Sequence, residues 1–176
     1  DATIVCIPEM KHGRSFLRYR EARRQVEALT FAHDLVIARL PSLIGSWALK
    51  AAWRSGQPAL VECVGCPWDA LWNHSLKGKL AAPFFRLKNR FLMHKAQYVV
   101  YVTEAFLQSR YPTRGRSIAC SNVEVEPAPQ SAMTERAKRL AGLPDAAPVV
   151  LGTVANLDVP YKGHNLVIRA LAGLGD

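Results

Sequence analysis

Short runs rich in valine and isoleucine, separated by segments of helical period, constrain this chain more than any other feature. TIVCI (3–7), DLVIARL (34–40), ALVECV (59–64), QYVVYV (97–102) and SIACSNV (117–123) are mostly apolar at both alternating positions. Strands buried in a parallel sheet read this way, because both of their faces meet other layers. Between them, LIGSWALKAAW places Leu43, Ile44, Trp47, Ala48, Ala51 and Ala52 on one helical stripe. LAAPFFRLKNRFLMHK does the same with Leu80, Phe84, Leu87 and Phe91. Strand and helix in alternation predict an α/β fold, a Rossmann-like doubly wound parallel sheet.

The alternation also predicts boundaries. VEVEPAPQ (123–130) carries two prolines and closes the first unit, which spans residues 1–126. A linker over 127–147 holds a helix from about Ala132 to Leu140, ended by Gly142 and Pro144. At 148–176 a new strand, VVLGTV, a loop, NLDVPYKGH, and a helix, NLVIRALAGL, open a second Rossmann-like domain. One strand and one helix bury no core, so this part reads as the start of a truncated domain.

The chain of 176 residues is 49% apolar, contains no low-complexity tract, and has no apolar run near the roughly 20 residues that span a bilayer. No secretory signal pattern precedes TIVCI. Its four cysteines, Cys6, Cys63, Cys66 and Cys120, are too few and too strand-like for a disulfide framework, and a reducing cytoplasm fits them. The net charge of +9 is concentrated. Residues 10–24 hold six Lys/Arg (Lys11, Arg14, Arg18, Arg20, Arg23, Arg24) against Glu21 alone. Residues 77–95 hold six more (Lys77, Lys79, Arg86, Lys88, Arg90, Lys95) and no acid. Such clusters are solvated helix faces or sites for a polyanionic partner.

Ligands of open α/β sheets bind beyond the carboxyl ends of the strands, and that rule selects the candidate residues. Arg39 and Ser42 end the second apolar run, Gly65 to Ser75 follow ALVECV, and Thr103 and Glu104 follow QYVVYV. Asn156 to His164 follow VVLGTV. Lys162 and Gly163 stand where a helix should begin, so a phosphate could answer both the lysine and the helix dipole. The other reading is a solvated lysine; the glycine-rich run of a Walker loop is absent.

The segment VECVGCPWDALWNHS (61–75) carries a Cys-x-x-Cys pair without the four ligands of a zinc site. Cys63 falls within a strand, unlike a thioredoxin-type pair, so no metal is expected. Asp69 and His74 are the candidate catalytic or sugar-binding groups of this loop, with Trp68 or Trp72 offering a face to a sugar ring. Alternatively the tryptophans anchor the loop and Asp69 caps a short turn or helix. Glu62, near the end of a buried strand, needs a partner, and Arg39 can supply one.

ARLPS, VECVGCPWDALWNHSLKGKLAAP, YVVYVTEAFLQSRYPTRGR with SNV, and LGTVANLDVPYKGHNLVIRAL together resemble family-4 glycosyltransferases of bacterial surface-polysaccharide assembly. The resemblance implies two facing Rossmann-like domains, the GT-B fold, with an acceptor-side first domain and a second that binds a nucleotide sugar. It implies retaining transfer, with the nucleotide sugar as substrate and neither metal nor other cofactor. Lys162 matches the family's basic residue for the donor diphosphate. The arginine often found earlier in that loop has no counterpart, and Asn156 stands near its place. The family's glutamate pair would lie beyond Asp176 and its first glycine-rich loop before Asp1, so this chain is expected to be inactive alone. Lipid-linked acceptors, common in such pathways, make the basic helices a plausible contact with the anionic inner face of the membrane. The rival reading is a non-catalytic polyanion-binding or nucleic-acid-binding α/β module, which rests on charge alone, since no nucleic-acid-binding motif accompanies it.

Overall fold

In the computed structural model, the described residues are 3–8, 16–124, 126–144, 147–148, 150–157 and 162–174. The chain divides into two compact units, 1–122 and 123–176.

The first unit is an α/β domain with an all-parallel, four-stranded sheet in the order β1-β2-β3-β4. Its elements are α1 (Phe16–Phe31), β1 (Val36–Leu40), α2 (Leu43–Ser55), β2 (Ala59–Cys63), α3 (Pro67–Trp72), α4 (Leu76–Lys95), β3 (Tyr98–Tyr101), α5 (Phe106–Arg110) and β4 (Arg116–Ala119). The register sets Ala38 beside Val61 and Val61 beside Val99, and it sets Leu40 beside Cys63 and Cys63 beside Tyr101. These residues share one face, and all are buried. Leu49 and Ala52 of α2, Leu92 and Met93 of α4, and Leu107 and Tyr111 beyond β3 pack on them to form the core. A smaller cluster holds α1 to α2 through Ala22, Val26 and Trp47, with Tyr19 set edge-on to the Trp47 ring.

Local chemistry explains where the two sheet-covering helices begin and end. The Ser42 side chain accepts from the Gly45 N–H and caps α2, and Ser75 does the same for Gly78 of α4. Gly56, in the left-handed region at φ 72°, closes α2 and turns the chain into β2. Gly45 is fixed by contact: a Cβ there would stand 2.3 Å from the Arg39 carbonyl oxygen at the end of β1.

Several expectations change. TIVCI is not a strand: among the described residues, 3–8 pair with no sheet neighbour, Ile4 is exposed, and Ile7 packs against the α1–α2 cluster instead. An apolar run becomes a strand only where another strand offers its hydrogen bonds. The strands are buried chiefly on one face; β1 alternates buried and exposed residues, with Ile37 at 65% exposure, and β4 is exposed along its length. In α2, Ile44 is exposed and Leu49, off the expected stripe, is fully buried. The stripe of Leu80, Phe84, Leu87 and Phe91 on α4 also faces away from the core. That helix buries Gly78, Ala82, Asn89, Leu92 and Met93, whose small members let its backbone approach its neighbours. The expected loop after β2 is largely the helix α3, started by Pro67 in its first turn.

The second unit contains α6 (Gln130–Ala141) and α7 (His164–Ala172), both predicted by periodicity. Residues 150–154, expected as a strand, take no strand conformation, since no neighbouring strand among the described residues pairs with them. None of the described residues from 123 onward is buried.

Candidate functional site

The carboxyl ends of β1, β2 and β3 carry most of the candidate residues, and the ladder itself brings their loops together. Val64 donates to the Leu40 carbonyl at 2.8 Å, and Val102 to the Cys63 carbonyl at 3.1 Å. Gly65 lies against Pro41, where a Cβ would come within 3.8 Å of the proline ring. Arg39 and Glu62, register neighbours, form the expected ion pair at 3.5 Å. Both are partly exposed, so the pair positions rather than stabilises strongly.

The most connected group joins the loop after β2 to the segment after β3. Arg110 donates to both carboxylate oxygens of Asp69 at 3.1 Å and to the Cys66 Sγ at 3.3 Å. Cys66 Sγ also meets the Tyr111 hydroxyl at 3.2 Å, and the Tyr101 hydroxyl donates to the Tyr111 carbonyl at 2.7 Å. The hydrogen bonds to Cys66 and Asp69 hold the Arg110 guanidinium even more firmly charged than usual. Burial pushes the Tyr111 hydroxyl up, and pushes Tyr101 up to about 12, so both stay neutral. Burial likewise pushes the Cys63 thiol up to about 12, which leaves it a protonated core residue rather than a thiolate ligand or nucleophile. Among the described residues, no three His, Cys, Asp or Glu side chains gather as a metal site would require.

His74 takes no part in this group. It stands exposed in the turn from α3 to α4, and no hydrogen bond or ion pair among the described residues links it to Asp69. Asn73 instead donates its side-chain amide to the Asp69 carbonyl at 2.9 Å. Trp68 and Trp72, one turn apart on α3, stack at 4.7 Å. Cations of α4 cover them, Arg86 over Trp68 at 5.5 Å and Lys79 over Trp72 at 5.8 Å. Their faces therefore fasten α3 to α4, and not to the hydrophobic core as the anchoring reading expects. Thr103 is a cap: its hydroxyl oxygen accepts from the Leu107 N–H at 3.0 Å and its carbonyl accepts from the Gln108 side chain. Glu104 is exposed.

In the second unit, Lys162 and Gly163 do stand at a helix start. Gly163 is the cap residue of α7 in the left-handed region at φ 81°, and its carbonyl accepts from Leu166 at 2.9 Å and Val167 at 3.1 Å. Of the first turn, the His164 and Asn165 amides are left for an anion at that end, since Leu166 already donates to Gly163. Asn156 is exposed in the preceding loop, and residues 158–161 of that loop lie outside the described set, as do Lys11 and Arg14 of the first basic cluster.

Residues that the sequence did not single out complete the picture. Arg110 and Tyr111 anchor the strand-end group, and Ser46, Lys50 and Asn89 line cavities between α2 and α4. No motif spacing announces Arg110 and Tyr111, because each acts through a contact with a distant segment.

The fold and this arrangement define an α/β protein with a parallel, Rossmann-like sheet and a polar cluster at its carboxyl edge. The chain is similar to Protein CapJ of Staphylococcus aureus, 29% identical over 153 residues, which is 84% of this chain and 37% of that protein. It spans little more than a third of that relative's length. No protein-family profile matches the chain, and no solved structure does.

Proposed function

We propose that this chain is part of a glycosyltransferase of cell-surface polysaccharide synthesis that moves a sugar, with retention, from a nucleotide donor to a saccharide or lipid-linked acceptor. The observation that carries this reading is the placement of Lys162 and Gly163 at the open N-terminus of α7. A lysine and free amides at one helix end suit the diphosphate of a nucleotide sugar, whose charge grows as the glycosidic bond breaks. The similarity to CapJ supports treating both units as one protein. It covers more residues than the 122 of the first unit and so includes part of the second. The resemblance of LGTVANLDVPYKGHNLVIRAL to the family's donor loop supports the same role. In this reading the strand-end cluster of the first unit forms the acceptor side, with Asp69 oriented by Arg110. No catalytic residue is assigned. In this reading the protein acts at the inner face of the membrane, supported by the apolar stripe flanked by cations that α4 exposes.

The test uses the protein encoded by the complete reading frame and a panel of nucleotide diphosphates. Lys162→Ala is expected to weaken diphosphate binding about tenfold or more in calorimetry, the loss typical of one charge-assisted contact. Unchanged binding removes the role from Lys162. Binding of oligonucleotides in preference to any nucleotide diphosphate would favour the polyanion-binding module instead.

A further inference from the structure

At the strand ends Arg39 and Asp69 each meet an opposite charge; in the trough between α2 and α4 two lysines meet no carboxylate among the described residues. Two adjoining cavities occupy that trough and share Ser46 and Lys88 as walls. The first, about 220 Å³, begins at the carboxyl ends of the strands. Its walls are chiefly apolar, from Leu43, Pro67, Leu71, Phe85 and Leu92. The second, about 150 Å³, lies further along α2 against α1 and is lined by Tyr19, Arg23, Glu27, Trp47 and Lys50 besides the shared residues.

The charges of the second cavity do not balance. Glu27, its carboxylate, is already engaged by Arg23 at 2.8 Å and by Arg54 at 2.7 Å. Lys50 and Lys88 form no ion pair among the described residues, yet they face the same small space. The Lys88 ammonium is held below its ordinary range, first by burial and then by the charge of Lys50. Two lysines brought together against their mutual repulsion, beside a cavity, form a receptor for an anion. An apolar cavity that opens from the same lysine adds a second requirement, an apolar body attached to that anion. A nucleic acid has no use for the second feature, and a free inorganic anion has none either.

We propose that the α2–α4 trough binds a phosphate-bearing amphiphile, with its phosphate between Lys50 and Lys88 and the start of its chain among Pro67, Leu71, Phe85 and Leu92. The site is read from cavity geometry and charge. If the protein transfers sugars to a lipid-linked acceptor, it is where that acceptor's phosphate rests. The test involves no donor and no turnover, so it can fail while the glycosyltransferase reading stands, and the reverse.

Decyl phosphate below its micelle-forming concentration, inorganic phosphate and decanol serve as probes, with binding to the chain followed by calorimetry. Decyl phosphate is expected to bind at least about tenfold more tightly than inorganic phosphate, since several methylenes leave water. Replacing Lys50 and Lys88 together by alanine is expected to weaken it at least about tenfold. Ala70→Phe, which fills the apolar cavity from its α3 wall, should weaken decyl phosphate and leave inorganic phosphate unchanged. Circular dichroism establishes that each variant is folded, and Lys50→Met with Lys88→Met repeats the charge test with the apolar stems kept. Equal affinity for decyl and inorganic phosphate, or indifference to both lysine pairs of substitutions, overturns the proposal. So does binding only to phosphatidic acid vesicles and not to the monomeric amphiphile, because that is surface adsorption and not a cavity. Monomer and vesicle binding that are both lost in the lysine variants support it, with the lipid as the source of the phosphate.

Discussion

The loops at the strand ends and the α2–α4 trough lie in the same unit and are both rich in polar side chains, yet they are built on opposite terms. At the strand ends the charges that line the loops are matched, the exposed Glu104 aside: Arg39 meets Glu62, Asp69 meets Arg110, and Ser42 and Thr103 satisfy backbone amides. In the trough, among the described residues, Lys50 and Lys88 share a cavity without a free carboxylate, and the buried Nδ2 of Asn89 has no hydrogen-bond partner. A paired group mainly holds structure, whereas an unpaired one costs stability and is retained at sites that await a ligand. Substitutions in the two regions should therefore differ in sign.

The largest effect is expected where a strand end and a helix start touch. Gly45→Ala puts a Cβ 2.3 Å from the Arg39 carbonyl and 2.7 Å from the Ser42 oxygen, and one of these is rigid backbone. Separating α2 from β1 by the required distance should cost about 2–3 kcal/mol in urea unfolding. A neutral result would mean that the strand-end region yields easily, and its contrast with the trough would weaken.

The sharper comparison pairs Asn89→Leu with Arg110→Met. The first removes a buried, unsatisfied amide in favour of a side chain of similar size in an apolar wall. It is expected to raise stability by about 1 kcal/mol. The second leaves Asp69 without its cation at a site where both side chains are about 40% exposed. After allowance for solvent screening it should lower stability by about 1 kcal/mol or less. Paired urea melts check both, and equal signs for the two variants would erase the distinction between the regions.

The strands of the sheet were legible because Val- and Ile-rich runs sit between glycine, proline and polar punctuation. DLVIARL, ALVECV and QYVVYV each contain an observed strand. TIVCI has the same composition and is not one, because pairing is a property of what lies beside a run, which composition does not record. On α4 the period was visible but its orientation was not. The helix has one large apolar stripe and one of Gly78, Ala82, Leu92 and Met93, and the smaller stripe is the one that buries. Bulk alone does not decide which face packs; close approach does. For the candidate site, the Arg39–Glu62 pair followed from adjacent strands, a local inference. The Asp69–Arg110 contact spans 41 residues, and its cation was named only inside a longer matched segment. The Lys50–Lys88 encounter joins two helices of one layer, and only the folded chain shows it.

The smallest expected effect tests the trough through pH. The ordinary lysine value is 10.5, and in the folded chain Lys88 lies below it, because burial and the Lys50 charge both disfavour its ammonium. The unfolded state therefore binds more protons than the folded state between the two values. Stability then rises with pH across that window. The penalty is present in full below the lowered value and disappears as the pH climbs to about 10.5. Cys63 acts in the opposite sense over the alkaline range, since its thiol is raised from 9.0 to about 12 and stability falls as the unfolded chain ionises. A Cys63→Ala background removes that opposing slope. In that background, the stability difference between Lys88 and Lys88→Met should narrow from pH 8 toward pH 10.5, by less than about 1 kcal/mol, since Lys88 is only half-buried and Lys50 is exposed. It should also narrow at higher salt, which screens Lys50 from Lys88. A difference that stays constant across pH and salt would mean that the two lysines do not repel within the trough, and the charge half of the comparison would be lost.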